Sequence, residues 1–146
     1  MADYLSLEDK TGLEFLQALI DQKIQPPMAQ LMGFKLVEVS DGRAMFECDV
    51  TERFCNPAGV VHGGFAATIL DSTLGCCIQT KLPKNTPYGT VELKVNYVRA
   101  IPKDLGLVRA IGTTIHVGRR MATSQGRLED ANGKLYAHGS TTCMIY

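Results

Sequence analysis

The stretch 63-GGFAATILDSTLGCCIQT-80 decides the fold. Phe65, Ala66, Ala67, Ile69, Leu70, Leu74, Cys76, Cys77 and Ile78 fall nearly all round a helical wheel, and a helix apolar on every side is a buried one. Upstream, Asn56-Pro57-Ala58-Gly59 is a turn cluster that breaks any regular element before the helix begins. Residues 34 to 50 form two β-like runs separated by Ser40-Asp41-Gly42-Arg43, the second alternating Ala44, Phe46, Cys48 and Val50 with polar partners. Further upstream, Ser6-x-x-Asp9 resembles a capping box, and Leu13, Leu16, Ile20 and Ile24 recur at helical spacing until Pro26-Pro27. Downstream of Pro83 and Pro87 the period becomes two, with Val91, Leu93, Val95 and Tyr97 set against Glu92, Lys94 and Asn96. Strand-like runs follow near 105 to 117, 120 to 129 and 135 to 145, and Asp130-Ala131-Asn132-Gly133 marks a hairpin between the last two. The order predicted is helix, two strands, buried helix, four strands. It implies an α+β arrangement in which an antiparallel sheet curls around the apolar helix.

The rest of the composition bounds the function. A chain of 146 residues and 15.9 kDa fits one core. Fifteen Lys and Arg balance fifteen Asp and Glu, so charge advertises neither nucleic acid nor an anionic membrane as a partner. No apolar run reaches the roughly 20 residues that span a bilayer. Met1 to Lys10 lack the basic and apolar regions of a signal peptide, which makes the cytoplasm the expected location. Cysteines 48, 55, 76, 77 and 143 have no CxxC spacing, and they read as small apolar residues rather than disulfides or zinc ligands.

Asp71 is the one charge between His62 and Lys81, and burying an isolated carboxylate is costly. Its same-face neighbours Ala67, Thr68, Leu74 and Gly75 leave space beside it and supply no cation, the pattern of a site rather than a salt bridge. His62-Gly63-Gly64 opens the same helix, where free N–H groups and the positive end of the macrodipole suit a developing oxyanion. Without a GxSxG elbow, and in so short a chain, these letters do not indicate a lipase. Gly63 and Asp71 are separated by about 12 Å along one helix, so they cannot flank one carbonyl. Two antiparallel helices across a two-fold axis could bring them together, and we expect an obligate dimer with shared sites.

At these residues the sequence resembles the hot-dog-fold acyl-CoA thioesterases of the PaaI and Them2 type: Asn56, Gly59, His62-Gly63-Gly64, then Asp71 nine residues after the histidine. The similarity continues through 90-TVELKVNY-97, Gly118-Arg119-Arg120, Gly133-Lys134-Leu135 and Ala137-His138-Gly139. It covers about 28–146 and leaves 1–27 as an N-terminal helical extension. The resemblance implies a hot-dog domain, homodimers with shared active sites, and their association into a homotetramer. It implies Asp71 as general base or nucleophile, a Gly63 N–H that polarises the thioester carbonyl, and an Asn56 amide that holds water or the carbonyl. His62 would shape the loop, Gly64 would lie against the substrate, and Thr90 would supply a hydroxyl near the carboxylate. Gly118, Arg119 and Arg120 would lie near the nucleotide of coenzyme A, where guanidinium groups suit phosphate oxygens.

A thioester carbonyl is already electrophilic, so a carboxylate and an N–H donor suffice without metal or cofactor, coenzyme A arriving as part of the substrate. The reading is therefore an acyl-CoA thioesterase acting on an aryl- or medium-chain acyl group. Two alternatives are a non-catalytic acyl-CoA sensor and a hot-dog hydratase or dehydratase that pairs His62 with Asp71. Arg99 and Lys103 are weaker phosphate candidates, and His116 and His138 have no metal-ligand spacing. Phe34, Phe54, Leu70, Leu74 and Tyr88 are candidates to touch an acyl chain.

Overall fold

Thr11 caps the first helix, α1 (Gly12–Asp21), through a reciprocal capping box: its hydroxyl accepts from the Glu14 N–H at 3.3 Å, while Glu14 accepts from the Thr11 N–H at 2.8 Å. The computed structural model describes residues 9–146, so the Ser6 cap expected from the sequence lies outside the described residues. The helix is also shorter than its apolar spacing suggested. Lys23 adopts a left-handed φ of 56°, and the Ile24 N–H turns back to Leu19 O, closing the helix before the prolines. Thr11→Ala should cost about 1 kcal/mol and lower the melting temperature by roughly 3 °C. A thermal scan beside wild type checks it.

A short helix not anticipated from sequence, α2 (Pro27–Met32), starts with proline at its first position and ends at Gly33 with φ 73°. Then come β1 (Phe34–Ser40), β2 (Arg43–Asp49), a 3-10 turn over Glu52–Phe54, the long helix α3 (Gly63–Gln79), and strands β3 (Tyr88–Tyr97), β4 (Leu107–Val117), β5 (Met121–Asp130) and β6 (Leu135–Ile145). The six strands form one antiparallel sheet in the order β1-β2-β4-β5-β6-β3. This is the α+β hot-dog fold, with α3 wrapped by the sheet and α1 added outside. The hairpins turn where expected: Gly42 and Gly133 have φ near 75° and 80°, and Asp130 Oδ1 accepts from the N–H groups of Asn132 and Lys134.

The wrapping has a specific basis. Ala44, Gly112, Gly126, Gly139 and Val95 lie on one register row across β2, β4, β5, β6 and β3. The three central positions carry no side chain. A Cβ on Gly112 would fall 2.7 Å from Cys77 Sγ, and one on Gly126 would fall 2.6 Å from Ile111 O and 2.8 Å from Leu74 Cδ2. The helix therefore rests almost on the backbone of the sheet, with Ile69, Leu70, Leu74, Cys77 and Ile78 fully buried beneath it.

One side of α3 departs from the expected all-round burial. Ala67, Thr68, Asp71, Ser72, Cys76 and Gln79 are only half-buried. This side faces the seam between the edge strands β1 and β3, and α1 packs across it against β1 and α3.

Candidate active site

The face of α3 that carries Asp71, Gly75 and Gln79 looks into the seam because the opposite face supplies the core residues that the sheet must cover. Asp71 Oδ1 accepts a 2.9 Å hydrogen bond from the Thr90 hydroxyl at the start of β3. A register shift between Thr90 and Glu92 marks a bulge in this part of the strand. No cation pairs with the carboxylate among the described residues. Below it, Tyr88 donates to Gln79 Oε1 at 3.0 Å, and its hydroxyl stays neutral because burial pushes its pKa far up. Burial likewise pushes the Cys76 thiol up to about 12.

Asp71 and Thr90 border a cavity of about 750 Å³ whose other walls come from α1, α2 and β1. Of the acyl-contact candidates, Phe34 and Tyr88 line it, whereas Leu70 and Leu74 are fully buried in the core and Phe54 stacks on Phe65 at 4.7 Å.

The other candidates gather elsewhere, at the N-terminus of α3. His62 is the N-cap, and its Nδ1 accepts from the Gly64 N–H at 2.8 Å, while the Phe65 N–H bonds His62 O. The Gly63 N–H is left as the unclaimed donor of the first turn. Asn56 is locked in the preceding loop by its N–H to Val60 O, and its Oδ1 accepts from the Ala58 N–H. With its oxygen so engaged, the amide NH2 has no hydrogen-bond partner among the described residues and remains as a donor.

Tyr97, which sequence reasoning placed only in the β3 pattern, belongs to this cluster. It donates to Gly63 O at 3.1 Å, and its ring approaches so closely that a Cβ on Gly63 would lie 3.1 Å from it. A side chain at this position would have to push the exposed Tyr97 ring aside by a few tenths of an ångström, and Tyr97 fixes the first carbonyl of the helix. No local sequence signal marks the pairing, since the residues are 34 apart.

The two clusters lie at opposite ends of β3, Thr90 and Tyr97 being about 23 Å apart along the strand. Within one chain they do not form one site. The third group, Gly118-Arg119-Arg120, makes the tight β4–β5 connection, closed by the Gly118 N–H to Met121 O at 2.8 Å. Both arginines are exposed, and neither forms an ion pair among the described residues. Thr90 pairs with Cys143 and Cys143 with Ala122, so the arginines sit at the Thr90 end of the sheet. Lys103 is engaged with Glu52 at 2.9 Å, and Arg99 lies 5.9 Å from the Tyr136 ring centroid. Among the described residues no group of three His, Cys, Asp or Glu could hold a metal, and no helix is long and apolar enough to cross a membrane. The five thiols are unpaired.

The thioesterase superfamily model matches residues 58–137. Acyl-coenzyme A thioesterase 13 of Homo sapiens is 33% identical over 114 residues, covering 73% of this chain and 76% of that protein. The 1,4-dihydroxy-2-naphthoyl-CoA hydrolase of Listeria monocytogenes is 26% identical over 120 residues, covering 81% and 94%. Among solved structures, a conserved protein from Pseudomonas aeruginosa is similar with 28% identity and a TM-score of 0.78, over 86% of this chain and 98% of that one. A mutant of the phenylacetic acid degradation protein PaaI from Thermus thermophilus shares the fold at 24% identity and a TM-score of 0.73, over 82% and 98%. The match spans the carboxylate, the glycine helix entry and most of the sheet, and on it the chain belongs to the thioesterase superfamily, as a hot-dog-fold thioester hydrolase related to the PaaI-like members.

Proposed function

We propose that the protein hydrolyses acyl-CoA thioesters at two equivalent sites of a homodimer, each built from both chains, with dimers pairing further into a homotetramer. The observation that carries this reading is the placement of the two half-sites at opposite ends of one unpaired edge strand. Val91 and Tyr97 are exposed along that strand, whose outer edge is an open row of N–H and C=O groups that invites a second strand. Antiparallel pairing of β3 with its copy, about a two-fold axis near the strand's middle, sets Thr90 opposite the partner's Tyr97. The partner's Gly63 then comes towards Asp71, the juxtaposition that one chain cannot achieve.

At such a site the thioester carbonyl oxygen points at the Gly63 N–H, where the helix dipole also favours the developing negative charge. The Asn56 amide donates to the same oxygen or to water. Asp71, held by Thr90, takes a proton from a water that adds to the carbonyl carbon, or its carboxylate adds directly. The tetrahedral oxyanion collapses, the C–S bond breaks, and the coenzyme A thiolate leaves and is protonated. In the direct route, water then hydrolyses the acyl-aspartate. Arg119 and Arg120 offer exposed guanidinium groups for the phosphates, Gly64 lies against the substrate, and His62 holds the loop through its bond to the Gly64 N–H.

The test is free-thiol release from aliphatic and aromatic acyl-CoAs, combined with subunit mixing. Asp71→Asn and Asn56→Ala variants should each be nearly inactive. After joint unfolding and refolding, the mixed dimer contains one site with both residues intact, and about a quarter of wild-type activity should return. No recovery from refolded, dimeric mixtures would count against the shared site. Binding of acyl-CoA without thiol release on any substrate would favour the sensor instead.

A further inference from the structure

We propose that α1 and α2, which lie outside the superfamily match, form the wall of an acyl-chain pocket, and that the preferred substrates carry unbranched aliphatic chains of medium length. The inference rests on the thioesterase reading and names the substrate class of that same site.

The cavity that begins at Asp71 and Thr90 continues beneath α1 to β1. Its volume, about 750 Å³, lies in the range of roughly 300–1,000 Å³ that holds drug-sized ligands and greatly exceeds what one aromatic ring would fill. A single ring would leave apolar wall in contact with water. The wall is made by Phe15, Leu19, Ile20, Ile24, Met28 and Phe34, with the exposed Lys23 and Lys35 on the rim.

Along the α3 side the Thr90 hydroxyl is committed to Asp71 and the Tyr88 hydroxyl to Gln79 Oε1, which leaves the Ser72 hydroxyl and the Gln79 amide NH2 as the polar groups of that side. The Cys76 thiol is neutral. Little is left to orient ring hydroxyls, while a methylene chain asks for nothing but dry contact. Helix α1 has 10 residues and is about 15 Å long. At roughly 1.3 Å of advance per carbon in a zigzag of ~1.5 Å bonds, a chain lying along it has about ten to twelve carbons.

The amphipathic pattern of α1 thereby gains a second purpose. Leu16 and Leu19 anchor the helix against Leu36, Val39 and Cys76, and Ile20 and Ile24 are half-buried and border the cavity.

Two measurements test the proposal, one independent of turnover. In the first, S-alkyl-CoA thioethers, which cannot be hydrolysed, are titrated into wild type by calorimetry. S-decyl-CoA should bind at least a hundredfold more tightly than S-butyl-CoA, given about a fourfold gain for each fully buried methylene. In the second, kcat/KM is measured for butanoyl-, decanoyl- and phenylacetyl-CoA in wild type and Ile20→Trp. The decanoyl to butanoyl ratio should fall at least tenfold in the variant, because the indole fills the pocket beneath α1. Equal binding of the two thioethers would overturn the chain pocket even if hydrolysis is robust, as would a phenylacetyl preference that Ile20→Trp does not alter. Tight S-decyl-CoA binding with no hydrolysis of any thioester would leave the pocket standing and remove the catalytic reading instead. Should Ile20→Trp fail to fold, the thioether series on wild type decides the matter alone.

Discussion

Asp71→Asn should lower kcat/KM for acyl-CoA hydrolysis by on the order of 10³-fold, while S-alkyl-CoA binding stays within about threefold of wild type. The substitution keeps the shape of the side chain, and the amide oxygen can still accept the 2.9 Å hydrogen bond from Thr90. What it removes is the ability to take a proton from water or to attack a carbonyl carbon. The residue is half-buried and has no cationic partner among the described residues, so folding should hardly change. Steady-state kinetics, thioether titration and the elution volume of the assembly separate the three effects. Activity within tenfold of wild type would remove Asp71 from the chemistry. Label found in the Asp71 carboxylate after a single turnover in 18O-water would identify the direct route, because a general base acquires none.

The largest expected effect on stability is at Gly126. Its Cβ position lies 2.6 Å from Ile111 O and 2.8 Å from Leu74 Cδ2, and the first of these is backbone that cannot swing aside. Gly126→Val should therefore force the sheet away from α3 and cost about 3 kcal/mol, the upper end of overpacking in a tight core. For a chain of 146 residues that is a fall in melting temperature of roughly 10 °C. Gly89→Ala is the control, because the nearest atom to its added methyl is Tyr146 Cε2 at an ordinary 3.8 Å, and it should move the transition by less than about 2 °C. A thermal scan of both proteins suffices. If Gly126→Val melts with wild type, the close seating of α3 is not what holds the domain together.

Much of the architecture was legible because the apolar spacing changes period where the elements change. The run of apolar residues from 63 to 80 has no strand-like alternation, and α3 occupies Gly63–Gln79. The Asn-Gly and Asp-Gly turns likewise placed the hairpins. Helix α2 escaped notice because its six residues, the first of them the second proline of the pair, carry too few turns for a period to emerge. Asp71 stood out as a charge in an apolar element, whereas its contact with Thr90 came from the resemblance. Nineteen residues and a bulged strand separate the two, and only the seating of β3 beside α3 joins them. The Tyr97 contact with Gly63 and the α1 wall of the cavity were illegible for the same reason: both depend on how distant elements pack. Gly112, Gly126 and Gly139 look like scattered glycines in sequence, and only the strand register aligns them.

The glycine row also governs how the chain must reach this state. Strands interrupted by glycine are weak by themselves, and the β3–β6 ladder joins residues as distant as Tyr88 and Ile145. Such a sheet is no autonomous scaffold onto which a helix later docks. Helix α3 seats directly on Gly112 of β4 and Gly126 of β5, whereas Gly139 of β6 lies against the backbone of β3, so helix and sheet stabilise each other where they touch. A topology so rich in long-range pairing should fold with a high loop-closure cost, slowly by the standard of helical domains of this size. The carboxylate, its threonine and the cavity all depend on contacts between elements distant in sequence, so the site exists only when the whole domain is folded.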